Sequence, residues 1–597
     1  MLALFVLVPL IAAMLLMAVL KEHGHKKSKY IAAAGSLAAF AIALLASYGS
    51  YTYHWFSIAS YTFNISILVA PLNFMLLLLV LLIGTVVIIY SWGYMKLPSE
   101  QRRFYFQIIA FEISMATFAI SGNFITLFIA WEFLSLTSYL LIGFWYQKDS
   151  ANRAARKALT MIFIGDLALL GSIVLFYNAL GTLEFTQIIS SVGSGASAGV
   201  DAATMLLLVA IFTKSAQVPF HEWLIDAMEG PTPVSAYLHS STMVKAGVFA
   251  AILLFPIFQA TNTLGIILLF GLVTALIATL CALKELHIKK VIAYSTIQEL
   301  SIMFVAIGIG APLAAIYFFF AQTFYKALLF FSAGNIMEAT ERDYLNDASG
   351  LTSNPLIYYT TLAGVLSLAG FIPFAGFFAN EGISNAVSSN MNVYLIMSLI
   401  SVLTSFYIFR WMFYPSRKPK ADIADRYSTQ PATMVLPMAL LAALALLASA
   451  FFFMISDFIS YGNYLPFLSG LSLQINIMDS AIFLVLITIG AGLSYMAYVA
   501  ENIAGGPLLI RIRDMLYTNP LVNLFYRAVY GFTYEVAEAA SILDTGISDV
   551  FDDVGLLTVY SGNAIKRLSV GSINLYALMV IVGILAMFAA FYLTVIV

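Results

Sequence analysis

The sequence has a single cysteine in 597 residues, Cys281, and it lies inside an apolar run. One thiol excludes an internal disulfide framework, an iron–sulfur cluster and a cysteine zinc site. Charge is scarce as well. Asp, Glu, Lys and Arg make up 10% of the chain, where a soluble domain carries about 25%. With 62% hydrophobic residues, the chain cannot clothe itself in a water-facing surface. The formal net charge of −2 shows no basic excess and no sign of a nucleic-acid partner. The glycine-rich run from Gly193 to Gly199 lacks Gly-Lys-Ser/Thr and a preceding strand, so it is not a phosphate loop. The first apolar stretch, 2–20, has neither a basic leader nor a small-residue cleavage site and is expected to be a retained membrane helix.

What the sequence has instead is long apolar runs. A spanning helix needs about 20 mostly apolar residues, and that ruler finds about sixteen spans between 2–20 and 573–597. The sixth to eighth fall at 158–178, 203–224 and 235–257, and the eleventh to thirteenth at 312–335, 355–378 and 391–414. Basic residues collect on the cytoplasmic side of a membrane. Here they fill alternate gaps, with the gap after the seventh span as the one exception: Lys96, Arg102 and Arg103 after the third span; Lys148, Arg153, Arg156 and Lys157 after the fifth; Lys284, Lys289 and Lys290 after the ninth. The gaps 50–70, 179–202 and 456–477 hold none. The alternation predicts a multi-pass protein of the plasma membrane with both termini on the outer side, and the predicted class is an all-α polytopic membrane protein.

Several ionisable residues sit where lipid is expected: Glu112, Glu132, Asp166, Lys214, His239, Lys245 and Lys326. A charge at mid-membrane costs about 2.5–3.5 kcal/mol on insertion scales, so such groups face protein or water. One alone reads as a structural hydrogen-bonding residue. Seven, of both signs and mostly in consecutive middle spans, read as a path for protons or ions. Burial disfavours the charged form of a lysine, and a nearby carboxylate restores it. Moving that carboxylate would switch the lysine between holding and releasing a proton.

Two spans carry helix breakers. The seventh contains Val218-Pro219-Phe220 and the twelfth Ile372-Pro373-Phe374. Proline removes an amide donor and clashes with the preceding turn, and freed backbone at membrane depth is tolerated only beside protein or a watery cavity. The two sites are five spans apart, an odd number. Lys157-Ala158-Leu159 and Lys326-Ala327-Leu328 recur at the same separation. Tandem five-helix units would then have opposite topology, giving two inverted five-helix repeats. Chance recurrence of common membrane residues is the plainer alternative.

Residues 213–247, with Lys214, Pro219, His221-Glu222-Trp223, Gly230-Pro231-Thr232-Pro233, His239 and Lys245-Ala246-Gly247, carry a resemblance. With Trp131-Glu132, Gly165-Asp166, Lys289-Lys290-Val291-Ile292-Ala293-Tyr294-Ser295-Thr296 and Phe324-Tyr325-Lys326-Ala327-Leu328, they resemble the antiporter-like subunits of complex I. The large subunit of multi-subunit sodium/proton antiporters has a similar pattern. After the fifteenth span a polar-rich stretch leads to one last apolar helix, and Lys566-Arg567-Leu568-Ser569-Val570-Gly571 is similar to the segment entering the final helix of the L-type subunits of NADH-quinone oxidoreductase. The resulting division is 1–103 for three N-terminal helices, 104–257 for the first repeat and 258–414 for the second. Residues 415–505 hold two further spans, 506–570 a C-terminal lateral amphipathic helix and 571–597 a final anchor helix.

The resemblance implies roles. Glu132 and Lys214 would form the carboxylate–lysine pair of a first half-channel, and Asp166 would lie at the interface with a neighbouring subunit and modulate that pair. His239 and Lys245 would continue the polar axis, and Lys326 would be the central lysine of a second half-channel. The activity implied is proton translocation within a quinone oxidoreductase, as a translocase subunit without a redox centre of its own. Quinone, flavin and iron–sulfur clusters would belong to partner subunits, among them an adjacent antiporter-like subunit and those along the lateral helix. The chain also departs from the pattern. Where L-type subunits carry a lysine after Gly-Phe-Phe, Gly376-Phe377-Phe378-Ala379 is followed by Asn380 and Glu381. Histidines expected before the eleventh-span lysine are replaced by Phe318 and Gln322. Either Glu381 ends the relay or the second half-channel works differently. The resemblance gives Glu112 and Glu222 no role: each is a relay group, or else Glu112 is a hydrogen-bonded interior acid and Glu222 a solvated group at a helix break. The electron donor stays open between NADH, coenzyme F420 and ferredoxin dehydrogenases and a membrane-bound hydrogenase. A sodium/proton antiporter subunit is the alternative function.

Overall fold

The computed structural model describes residues 2–19, 27–58, 61–193, 199–419 and 421–499. The expected lateral helix (506–570) and final anchor (571–597) lie outside the described residues. Chain order begins with α1 (Leu7–Val19) and α2 (Ser28–Ala43), then strands β1 (Gly49–Ile58) and β2 (Tyr61–Val69). Next come α3 (Pro71–Tyr94), α4 (Pro98–Ala119), α5 (Phe124–Ile142) and α6 (Asp149–Leu180). Two interrupted pairs follow: α7 (Val200–Lys214) with α8 (Glu222–Asp226), and α9 (Thr232–Ser240) with α10 (Met243–Leu253). After them run α11 (Leu264–Lys284), α12 (Ile288–Gly308), α13 (Pro312–Thr340), α14 (Pro355–Ala369), α15 (Ala375–Val387), α16 (Met391–Phe413), α17 (Ala432–Phe451) and α18 (Ile477–Tyr498). Among the described residues, nine helices are long and apolar enough to cross a membrane. The chain is a polytopic helical membrane protein.

Local chemistry explains where these helices start. Pro71, Pro98, Pro312 and Pro355 open theirs, at positions where the missing amide hydrogen has no helical partner to lose. Asn123, Asn354, Asn390 and Asn476 cap theirs, each side chain accepting from a first-turn amide.

Burial separates the helices into two kinds. In the apolar stretches of α13 and α12, 94% and 89% of residues are buried, whereas in α18 only 28% are. The two central helices are therefore the ones that can carry polar groups away from lipid.

The gaps sort onto two faces. On one, Lys96 pairs with Glu338, Arg103 donates to the Phe144 carbonyl, Ser150 to Glu229, and Lys289 to the Gly230 carbonyl. The Gly350 amide donates to the Arg417 carbonyl, and Arg426 pairs with Glu341. On the other, the Gly122 amide meets the Ser66 carbonyl, the Phe124 amide meets the Leu183 carbonyl, and Asn385 donates to the Gln474 carbonyl. The first face carries the gaps rich in basic residues, with the gap at 225–234 as the exception, and the second those without, so contacts and charge otherwise agree on the alternation.

Four expectations need correction. The gap 50–70 is an antiparallel hairpin, β1 on β2, with Tyr51 opposite Ile67 and Tyr53 opposite Ile65. Its aromatic and β-branched residues favour strands, and a ruler for helical spans does not register a segment of this length. The eighth span is two helices, interrupted at Ser241 and Thr242. There the Thr242 hydroxyl donates to the Tyr237 carbonyl at 2.6 Å, a side-chain bond competing with the helical ladder. The twelfth span does not end at 378: its break falls at 370–374, and α15 continues to Val387. The break in the seventh, at 215–221, leaves only the short α8 beyond it. That break is held by packing. Gly247 of α10 lies so close that a methyl group there would collide with the Ser215 hydroxyl and the Ile211 carbonyl, and Ser215 donates to the Val244 carbonyl at 2.8 Å.

Arg410, fully buried near the end of α16, closes another helix end. Its guanidinium donates to the carbonyls of Leu283 (2.5 Å), Ala282 (2.8 Å) and Glu285 (2.6 Å) at the C-terminus of α11, where helical carbonyls lack partners and a cation is favoured. Arg410→Met is expected to cost about 3 kcal/mol, read as a lower thermal midpoint in detergent. The exposed Arg417→Met should stay within about 0.5 kcal/mol.

Candidate functional site

Lys214 is the last residue of α7, at the lip of the break. Its Nζ donates to Ser135 Oγ at 2.5 Å and lies 3.4 Å from Asp166 Oδ1 and from the Trp131 carbonyl. Ser135 Oγ donates to Asp166 Oδ2 at 2.9 Å, and Trp131 Nε1 to Asp166 Oδ1 at 2.6 Å. The amine also stands 4.6 Å over the Trp131 ring. Trp131 and Ser135 are four residues apart on α5 and so share a face. That face meets α6 at Asp166 and α7 at Lys214.

The carboxylate in contact with Lys214 is thus Asp166, which the resemblance had placed at a subunit interface; in this chain it is 4% exposed. Glu132 is half-buried on the edge of α5, beside the exposed Phe133 and Leu136. It is close enough to Asp166 and Lys214 to feel both charges.

A second cluster joins α12 and α13. Lys326 Nζ donates to Ser295 Oγ at 2.5 Å and pairs with Glu299 Oε2 at 2.8 Å. Gln322 donates to the same Glu299 oxygen at 2.9 Å, and the Tyr325 hydroxyl to the other at 3.1 Å. Lys326 and Glu299 are 0% and 3% exposed. The sequence reading passed over Glu299, although it lies only three residues beyond Thr296 and in the middle of a span. Its signal was the one used for the other acids, a carboxylate inside an apolar stretch. Gln322, noted as standing where a histidine was expected, is a ligand of that carboxylate.

Lys245 links the two clusters. It sits on α10, which packs against α7, and it reaches to α13, where its Nζ donates to the Phe319 carbonyl at 2.5 Å and to Thr323 Oγ1 at 2.7 Å. The ammonium lies 4.4 Å over the Phe319 ring. Gln217, inside the seventh-span break, accepts from Ser301 Oγ of α12 at 2.9 Å. Lys214, Lys245 and Lys326 thus form a buried row bridged by α10, α12 and α13.

The remaining candidates take other positions. His239 is fully buried with its ring stacked on Phe330, and among the described residues no protein atom is hydrogen-bonded to either ring nitrogen. Glu381 of α15 accepts from the Asn476 amide at 2.9 Å, apart from the lysine row. Glu112 accepts from Ser36 at 2.7 Å among α2, α3 and α4. Glu222 and Asp226 both pair with Lys157, at 2.6 and 2.9 Å, at the partly exposed end of α8. Among the described residues no cluster of three or more His, Cys, Asp or Glu side chains could hold a metal ion.

Comparison with known proteins adds to this geometry. Residues 121–406 match the family described as NADH:quinone oxidoreductase/Mrp antiporter, TM. Residues 55–105 match that of the NADH-ubiquinone oxidoreductase (complex I) chain 5 N-terminus. The chain is 35% identical over 402 residues to the NADH-quinone oxidoreductase subunit L of Rickettsia felis, a match covering 65% of this chain and 62% of that one. It is 29% identical over 613 positions to the F(420)H(2) dehydrogenase subunit L of Methanosarcina mazei, covering 90% and 88%. The chain thus spans somewhat under two thirds of the Rickettsia relative. Its fold resembles a chain in the Mrp complex from Dietzia sp. DQ12-45-1b, with a TM-score of 0.74 at 22% identity over 99% of this chain and 63% of that one.

Contact geometry separates the two acids near Lys214. A double-mutant cycle pairing Lys214→Met with Asp166→Asn should give a coupling of about 1–3 kcal/mol. The cycle pairing Lys214→Met with Glu132→Gln should give a smaller value, both read from thermal unfolding. Equal couplings would place Glu132 in the same contact.

Proposed function

This chain belongs to the NADH:quinone oxidoreductase/Mrp antiporter family of membrane subunits, and from that we propose that it is the proton-translocating L-type subunit in the membrane arm of a complex I-type quinone oxidoreductase. The observation that carries the reading is the row of three buried lysines, two of them paired with buried carboxylates. Such a row costs stability in hydrocarbon and is suited to passing a cation between groups that alter each other's charge state.

The contacts support one mechanism. An anionic Asp166 favours the ammonium form of Lys214; when that negative charge is drawn off or screened, Lys214 gives up its proton. Lys245 stands between this pair and the next, and Lys326 with Glu299 receives the proton at the second cluster. Glu132, half-buried beside the first pair, modulates it, and His239 stacks on Phe330, four residues beyond Lys326 on α13. Electron transfer and quinone chemistry belong to partner subunits, including an adjacent antiporter-like subunit. The donor is NADH or, in keeping with the relative that matches most of this chain's length, reduced coenzyme F420.

The finer architecture belongs to the same proposal: about sixteen spans, two inverted five-helix repeats over 104–257 and 258–414, a lateral helix over 506–570, and both termini on the outer side of the plasma membrane. The helix breaks at 215–221 and 370–374 and the two-faced sorting of the gaps support it. A subunit of a sodium/proton antiporter is the second reading, which the likeness in fold to the Mrp complex favours.

Lys214→Ala and Lys326→Ala are each expected to abolish proton pumping through this subunit while the chain stays assembled, because other groups still hydrogen-bond Asp166 and Glu299. Pumping is read as acidification of vesicles containing the intact complex. Full pumping by either variant removes that lysine from the path. Copurification with small antiporter subunits alone, without quinone-site and iron–sulfur subunits, would favour the second reading.

A further inference from the structure

Beyond Glu299 the polar row does not meet another lysine. It meets two small cavities. The inner one, about 10 Å3, is lined by Glu299, Gln298, Thr404, Asn380 and Ser401. The outer one, about 20 Å3, is lined by Asn380, Ser401, Ser384, Ser398 and Tyr394. Asn380, Ser401 and Phe483 line both and form the wall between them. Each cavity approaches or exceeds the ~10–15 Å3 that one water needs, and each offers more than the two to four polar partners that hold a water. At the far end the Tyr394 hydroxyl lies 3.5 Å from Asp479, which is partly exposed on the face without basic residues.

We propose that the second half-channel empties through these two cavities along a water wire past Asn380 and Ser401, with no carboxylate, lysine or histidine between Glu299 and Asp479. The proposal rests on the functional reading above and names the exit of that same site. Lys326 returns a proton to the Glu299 carboxylate. Protonated Glu299 passes it to the inner water, that water passes a proton to the outer one, and the outer water passes one to Asp479 or to bulk water. Only O–H and N–H bonds are exchanged, and Glu299 is left as the anion that began the cycle.

The wall residues suit this work. Asn380 Nδ2 donates to the Gly376 carbonyl at 2.9 Å, and Ser401 Oγ to the Met397 carbonyl at 2.9 Å. Both anchor themselves with a donor, which leaves lone pairs on Asn380 Oδ1 and Ser401 Oγ able to accept from a cavity water. Acceptors at a constriction favour a passing excess proton and orient the waters that carry it. Glu381, the next residue along, lines neither cavity; its carboxylate caps the Asn476 amide instead. The acid that the sequence offered as the last relay group stands off the route, and its neutral neighbour stands on it.

The test uses the intact complex in vesicles, with Lys326→Ala as reference. Asn380→Leu, which fills the shared wall, should lose pumping to the extent Lys326→Ala does, with normal assembly. Asn380→Ala, which keeps room for water but removes the acceptor, should pump at a rate between those of Asn380→Leu and the parent, and Glu381→Gln should pump as the parent does. Normal pumping by Asn380→Leu, or a loss in Glu381→Gln equal to that in Lys326→Ala, overturns the route. If Lys326→Ala itself pumps normally, the functional reading fails, and the cavities are then read directly. Asn380→Cys, made together with Cys281→Ala, should be alkylated by a small membrane-impermeant thiol reagent, and no reaction would overturn a water-filled route.

Discussion

The structure depends on one constraint: an amine held in hydrocarbon must find its hydrogen-bond partners within the protein. Three lysines impose that demand. It explains why the two most buried of the long helices, α12 and α13, carry serine, glutamate and lysine rather than uniform aliphatic residues. It also explains why α7 ends at Lys214. A helix that stops at mid-depth brings the amine to an edge where α5, α6 and α10 converge, and a close contact at Gly247 lets α10 press against the break. Breaks, glycine and polar central helices are consequences of placing the same three charges.

The two lysine–carboxylate pairs are built to one plan with different tightness. In each a serine hydroxyl lies 2.5 Å from the amine. In the first the carboxylate stands back at 3.4 Å, and the serine bridges the gap. In the second it approaches to 2.8 Å and is held also by Gln322 and Tyr325. The looser pair is the one whose charge state a neighbouring group alters with less rearrangement. Glu132, at the edge of the same helix face, is placed to be such a group.

Much of this was legible in the sequence, because the membrane makes hydropathy and basic-residue placement speak directly about topology. The breaks at Pro219 and Pro373 and the buried positions of Lys214, Lys245 and Lys326 were all visible as residues out of place in apolar runs. Pairing was not. Glu132 and Asp166 look alike as acids in neighbouring spans, and only the helical turn separates them: Trp131 and Ser135 point inward together, while residue 132 is rotated about 100° away. Glu299 was hidden for another reason: it lies three residues beyond the motif that ends with Thr296. The hairpin at 49–69 and the break at Ser241 escaped because a twenty-residue apolar window records neither strands nor hydroxyls that replace backbone bonds.

Arg410 shows what distinguishes a working cation from a structural one. It is as deeply buried as the lysines, yet it donates to the backbone carbonyls of Leu283, Ala282 and Glu285, and a guanidinium does not deprotonate in proteins. Neither side of that contact can change state. Each lysine of the row instead touches a hydroxyl: Ser135, Thr323 and Ser295 for Lys214, Lys245 and Lys326. A hydroxyl accepts from an ammonium and, after rotating its hydrogen, donates to the neutral amine left when the proton departs. The amine is therefore satisfied both before and after it releases a proton, and neither state leaves an orphaned polar group in hydrocarbon. A purely carboxylate partner would stabilise only the charged form, and a carbonyl alone would give the bare amine nothing to accept from. For Lys245, whose contacts are one carbonyl and one hydroxyl, Thr323 is what makes transfer through the middle of the row physically open.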